Sequence, residues 1–108
     1  MARSARDGFA DHVLDQLREL DSLAGRSMFG GTGLYADSRF FGIIYRSQLF
    51  LKVDDESRLQ YVARGSAPFK PNNRQTMKSY YEVPAEVLDS RDQLLAWARR
   101  AVQAAPAR

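Results

Sequence analysis

The sequence contains no cysteine, which excludes disulfides, thiolate nucleophiles and cysteine-held zinc and fits a reducing compartment. It contains one histidine, His12, and no Gly-x-Ser-x-Gly elbow that would set a serine against it. No apolar run approaches the roughly 20 residues of a membrane span. The start, Met1-Ala2-Arg3-Ser4-Ala5-Arg6-Asp7, lacks the apolar stretch of a signal peptide. A cytoplasmic protein without a membrane partner is therefore expected. Neither sign of charge dominates: 16 basic and 13 acidic residues leave a net charge of +3. Arg3, Arg6 and Arg108 supply part of that excess at the termini. Nucleic-acid domains usually concentrate more basic charge on one face.

What the sequence does have is the material for a core. Hydrophobic residues make up 44% of its 108 positions, and one Trp, five Tyr and six Phe supply twelve aromatic rings. Disorder needs the opposite balance, and this length suits one domain. We read residues 1–108 as a single domain with an ordered core over about residues 7–104.

Periodicity orders the elements. From Asp7 to Leu20, Phe9, Val13, Leu17 and Leu20 share one helical stripe, and Gly25 is placed to end the segment. Leu34-Tyr35-Ala36, Phe40 to Tyr45 and Gln48 to Val53 are strand-like, with turns at Asp37-Ser38 and Arg46-Ser47. Turns this short join antiparallel neighbours. Leu49, Leu51 and Val53 fall on one face, Phe50 and Lys52 on the other. Asp54-Asp55-Glu56-Ser57 caps a short helix with Leu59, Val62 and Ala63 as its expected buried edge and Gly65 at its end. Pro68, Pro71, Asn72 and Asn73 mark the stretch from Gly65 to Gln75 as a loop. Thr76 to Val83 alternates as a strand, with Tyr81 expected in the core and Tyr80 half-exposed. Pro84 ends it, and Ser90-Arg91-Asp92-Gln93 has capping-box spacing. The helix that follows buries Leu94, Leu95, Ala98, Ala101 and Val102, with Trp97 at the edge. The fold class is α+β, an antiparallel sheet of about four to five strands packed with N-terminal and C-terminal helices.

Candidate chemistry is sparse. His12 with Asp15 reads as part of a solvated helix face, as does the Asp7, Asp11, Asp15 stripe. No catalytic residue, cofactor or metal is assigned from it. Met28, Phe29, Gly30, Gly31, Thr32 and Gly33 form a glycine-rich segment. A phosphate loop would open a helix, whereas these glycines lead into a strand, where they suit a bulge or a close crossing. Flanked by Met28 and Phe29, the segment is also a candidate contact surface. A second candidate is the stretch with Phe69, Lys70, Arg74, Lys78 and Tyr80, where basic and aromatic residues alternate as in single-strand nucleic-acid sites.

Four segments together resemble one family. Arg26-Ser27-Met28-Phe29-Gly30-Gly31-Thr32-Gly33-Leu34-Tyr35 is similar to the opening of the TfoX (Sxy) N-terminal domain. Leu49 to Asp54, Met77 to Pro84 and Leu94 to Ala98 resemble its later motifs, in the same order. The resemblance implies a compact α+β domain with no established catalytic residues. Longer TfoX proteins regulate bacterial natural competence together with a transcription factor and carry a second, C-terminal domain. This chain is expected to be a stand-alone short form of the N-terminal domain. The function expected is a non-enzymatic, regulatory protein-interaction module whose partner is another protein, with homodimerisation an even alternative. The competing readings are nucleic-acid binding through residues 69–81, and a small-ligand binder or enzyme.

Overall fold

The structure, a computed structural model, describes residues 5–28 and 30–106, with side chains from Gly8 onward. Its elements are α1 (Ala5–Gln16), β1 (Ala24–Met28), β2 (Gly31–Ala36), β3 (Arg39–Tyr45), β4 (Gln48–Lys52), α2 (Asp55–Ala63), β5 (Pro68–Asn72), β6 (Gln75–Glu82), α3 (Ala85–Leu88) and α4 (Arg91–Ala104). The strands form one antiparallel sheet in the order β1-β2-β3-β4-β6-β5. The α+β class and the β2–β3–β4 meander agree with expectation. Six strands exceed the four to five expected, because β1 and β5 were hidden. β1 is mostly small and polar with no apolar alternation, and β5 holds Pro68 and Pro71. Prolines are tolerated there because β5 is an edge strand.

Each helix contributes side chains to the inner face of the sheet. Val13 of α1, Tyr61 of α2, Val87 of α3 and Leu94, Leu95, Ala98 and Ala101 of α4 are buried there. They pack with Leu34, Phe41, Ile44, Leu49, Leu51 and Val53. Each large apolar side chain so buried contributes about 1.5–3 kcal/mol. α1 ends at Gln16, four residues before expectation. Leu17 and Leu20 nevertheless stay buried in the main core, because the chain stays hydrogen-bonded in turns past Gln16, the Leu17 amide to the Val13 carbonyl and the Leu20 amide to the Leu17 carbonyl. Gly25 does not end a helix; it lies within β1. A bulge shapes the centre: Leu34 pairs with Gly42 and Tyr35 with Phe40, so Phe41 is an extra residue. The bulge turns Phe41 inward beside Gly42. A Cβ at Gly42 would press within 3.1–3.3 Å of the Phe50 carbonyl oxygen and the Leu51 and Leu34 side chains.

α2 departs from its expected packing. Leu59 and Val62 are 65% and 54% exposed, and Ala63 is exposed too, while Ser57 and Tyr61 are buried. Tyr61 takes the core position because its ring reaches Trp97 of α4 at 4.7 Å. Gly65 does end α2, at φ 76°. Asp54 accepts the Ser57 amide and Ser57 Oγ accepts the Asp54 amide, a reciprocal cap. Arg100 of α4 ties this cap to the last helix, 2.8 Å from Asp54 and 3.2 Å from Glu56. The Ser57 amide, with Arg100, holds the Asp54 carboxyl well below its ordinary 3.8, at about 2. A folded-state value below the unfolded one stabilises fully above pH 3.8 and less as pH falls through about 2. Asp54→Asn should therefore flatten the acid side of the melting-temperature profile in that window; an unchanged slope would disprove the linkage.

Pro84 precedes the short α3, and Ser90 Oγ accepts the Gln93 amide at 3.3 Å to start α4. Val102 is half-buried rather than fully buried, and Arg99 is exposed. The turns Asp37-Ser38 (φ 54° and 64°) and Arg46-Ser47 (φ 50° and 61°) place non-glycine residues in the left-handed region. Hairpins of this kind favour Asn-Gly. Asp37→Asn with Ser38→Gly should raise stability by about 1 kcal/mol, read by urea denaturation; a loss would mean the turn is held by contacts of its present side chains.

Candidate interaction surface

The outer face of the sheet, turned away from the helices, is built from strand residues. Ile43, Phe50, Phe69 and Tyr80 form a second buried cluster there, flanked by Phe40, Tyr45 and Met77. Phe69 of β5 reaches Phe50 of β4 at 4.7 Å and Tyr45 of β3 at 5.4 Å. β5 lies three places from β3 in the sheet, so the sheet curls to bring these rings together.

Both aromatic members of the second candidate site are therefore in the interior. Phe69 is 0% and Tyr80 7% exposed. Tyr80 and Tyr81 exchange the roles expected of them: Tyr81 is half-buried against the helices and Tyr80 is buried on the outer face. Tyr80 is buried because the outer face has a cluster of its own, Ile43, Phe50 and Phe69. The irregular β5–β6 register moves Met77, expected on the Tyr81 side, to that cluster. Burial, and then the neighbouring Tyr35, pushes the Tyr80 hydroxyl up to about 12. Lys70, Arg74 and Lys78 are exposed. Arg74 occupies the β5–β6 turn, its amide held by Asn72 Oδ1 at 2.8 Å. Lys70 joins Tyr45 and Arg46 around a hollow of about 410 Å³.

The glycine-rich segment forms the β1–β2 hairpin. Phe29 lies outside the described residues. Gly30, at φ 81°, sits in the turn, and Met28 pairs with Gly31 across it. A Cβ on Gly31 would collide with the Ile44 carbonyl oxygen. One on Gly33 would lie 2.6 Å from Met28 Sδ and 3.2 Å from Phe40 Cε1. Both glycines let the hairpin lie close against its neighbours. The segment opens no helix.

Three cations lie on rings of the outer face. Arg26 is 5.5 Å from the Tyr35 ring centre, Arg46 is 5.2 Å from Tyr45, and Lys52 is 5.4 Å from Tyr80. The rings of Tyr35, Phe40 and Tyr80 follow one another at 5.1 and 5.5 Å. Glu82 brings a carboxylate to this face, where it accepts Gln48 Nε2 at 2.9 Å. Alternation had already put Lys52 opposite the core. Arg26, Tyr35, Phe40 and Arg46 could be joined to it only once the strand pairing was known.

The remaining candidates stay apart from this surface. His12 is exposed on α1, and Asp15 bonds Arg18 at 2.7 Å. Among the described residues, no group of three His, Asp or Glu gathers as a metal site, and no helix is long and apolar enough to cross a membrane.

The family model of the TfoX N-terminal domain matches residues 15–105. The chain belongs to that family. Among curated proteins, no sequence matches it. The match runs from the last two residues of α1 to just past the end of α4, so the whole sheet belongs to the TfoX N-terminal domain. Three of the segments quoted above meet on the outer face: Arg26 to Tyr35 supplies β1 and β2, Leu49 to Asp54 supplies Phe50 and Lys52, and Met77 to Pro84 supplies Tyr80. The fourth, Leu94 to Ala98, packs beneath.

Proposed function

We propose that this TfoX N-terminal domain is a non-enzymatic protein-interaction module that holds a partner protein against the outer face of its sheet. One observation carries the reading: Arg26, Arg46 and Lys52 lie on aromatic rings of the face turned away from the helices. Tyrosine, methionine and arginine are residues in which protein interfaces are enriched; Tyr35 and Tyr45 lie under these cations, and Met28 and Met77 are on the same face. The charges favour an acidic partner. The competence regulators that share this domain act with a transcription factor, and a regulatory role of that kind is the one we assign.

Capture from cell lysate with and without nuclease tests the reading, using the full chain and the double variant Arg46→Glu, Lys52→Glu. A protein partner should survive nuclease, and its retention should fall at least about tenfold in the variant while the fold is unchanged. Retention by the variant would count against the outer face. Loss of every partner with nuclease would shift the function to nucleic-acid binding, for which the Arg46 and Lys70 hollow, with Arg74 and Lys78, is the alternative surface.

A further inference from the structure

The two edges of the sheet differ in what they offer to another chain. The edge strand β5 contains Pro68 and Pro71. Neither proline has a backbone N–H to offer an incoming strand. Prolines placed this way guard an edge against pairing. β1 has none. Its Met28 and Gly31 form the closing pair of the hairpin, so Arg26 with Gly33 and Ala24 with Tyr35 are the further bonded pairs. Gly25 and Ser27 then direct their N–H and C=O groups away from β2. Both residues are exposed, and among the described residues no strand lies beyond β1.

Two more features indicate what this edge fits. Arg26 is the side chain that would keep an incoming strand away, and it is folded back over Tyr35 of its own sheet. Beside it lies a hollow of about 300 Å³ lined by Ser22, Ala24, Arg26, Tyr35 and Ser38. That lining holds two serines, a tyrosine and a guanidinium, with no carboxylate among them. A strand added at β1 would turn every second side chain toward this side of the sheet.

We propose that β1 is a strand-addition site for an extended acidic segment of a partner protein. The backbone of Gly25 and Ser27 holds the segment, and Arg26 reads an aspartate or glutamate on it. A second copy of β1 fits less well, since Ala24–Met28 contains no acidic residue. The inference rests on the protein-interaction reading above and specifies how the partner is held.

The test uses the isotope-labelled full chain, a short blocked peptide alternating valine and glutamate, and its lysine counterpart. With the glutamate peptide, the Gly25 and Ser27 amides should shift and exchange with solvent at least about tenfold more slowly. The lysine peptide should bind about tenfold more weakly. Ser27→Pro removes an outward donor and no β1–β2 bond, so it should melt like the parent and lose the peptide. Should that variant not fold, the amide exchange of the unaltered chain decides the matter. Strand addition is overturned by no response at millimolar peptide, by shifts confined to β5 or to the Arg46 and Lys70 hollow, or by equal binding of the lysine peptide. Sedimentation showing a dimer whose β1 amides are protected without peptide would overturn it too, giving the edge to a second copy. A lysate partner that needs Arg46 and Lys52 but is retained by Ser27→Pro would overturn strand addition alone and leave the interaction reading standing.

Discussion

Phe69→Ala will destabilise the protein by about 3–5 kcal/mol, the usual loss for a fully buried phenylalanine. Its ring is 0% exposed and touches Phe50 and Tyr45, so alanine leaves a cavity lined by side chains of three different strands. Those side chains are fixed by the curl of the sheet and cannot close the gap. Lys70→Ala, on the exposed neighbour, should change stability by no more than about 0.5 kcal/mol. Urea denaturation of the two variants separates the alternatives. A phenylalanine kept for stacking on a ligand would cost little stability when removed, so a loss below about 1 kcal/mol would contradict its place in the core.

The second large effect is expected at Gly31. Its Cα lies so close to β3 that a Cβ would meet the Ile44 carbonyl oxygen, which belongs to the backbone and cannot swing aside. Gly31→Ala must therefore spread β2 from β3 or break the β1–β2 hairpin, at about 2–4 kcal/mol. Gly30→Ala is the contrasting variant. Nothing lies within 4 Å of its Cβ position, but φ is 81°, so the cost is the left-handed strain alone, about 1–2 kcal/mol. The two glycines are adjacent in sequence and similar in any motif description. If Gly31→Ala proves no worse than Gly30→Ala, close strand packing is not why the segment is rich in glycine.

These two sites show where sequence reasoning reached and where it stopped. The glycines of residues 30–33 were legible as a close crossing because they precede a strand, although which backbone they approach was not. Phe69 was misplaced because two prolines nearby signal a loop, and a proline-bearing edge strand looks the same in one dimension. Leu59 and Val62 were misplaced because helical spacing identifies a stripe without saying whether the protein turns that stripe to its core. α2 turns Tyr61 inward instead, where Trp97 meets it.

What the sequence by itself determined is the local order: α1 and α4 from their 3.6-residue period, the β2–β3–β4 meander from short turns, and the caps at Asp54 and Ser90. It also determined the family, since four motifs in fixed order span the chain. These are properties of neighbours along the backbone, and a single chain carries them in full. The tertiary structure alone decided which strands form the edges, how the bulge at Phe41 and the irregular β5–β6 register reassign faces, and that Arg26, Arg46 and Lys52 come to lie on one aromatic surface. Each of these depends on pairing between segments far apart in sequence. A shift of one residue in register moves every following side chain to the opposite face, so periodicity within a strand cannot fix what lies across from it.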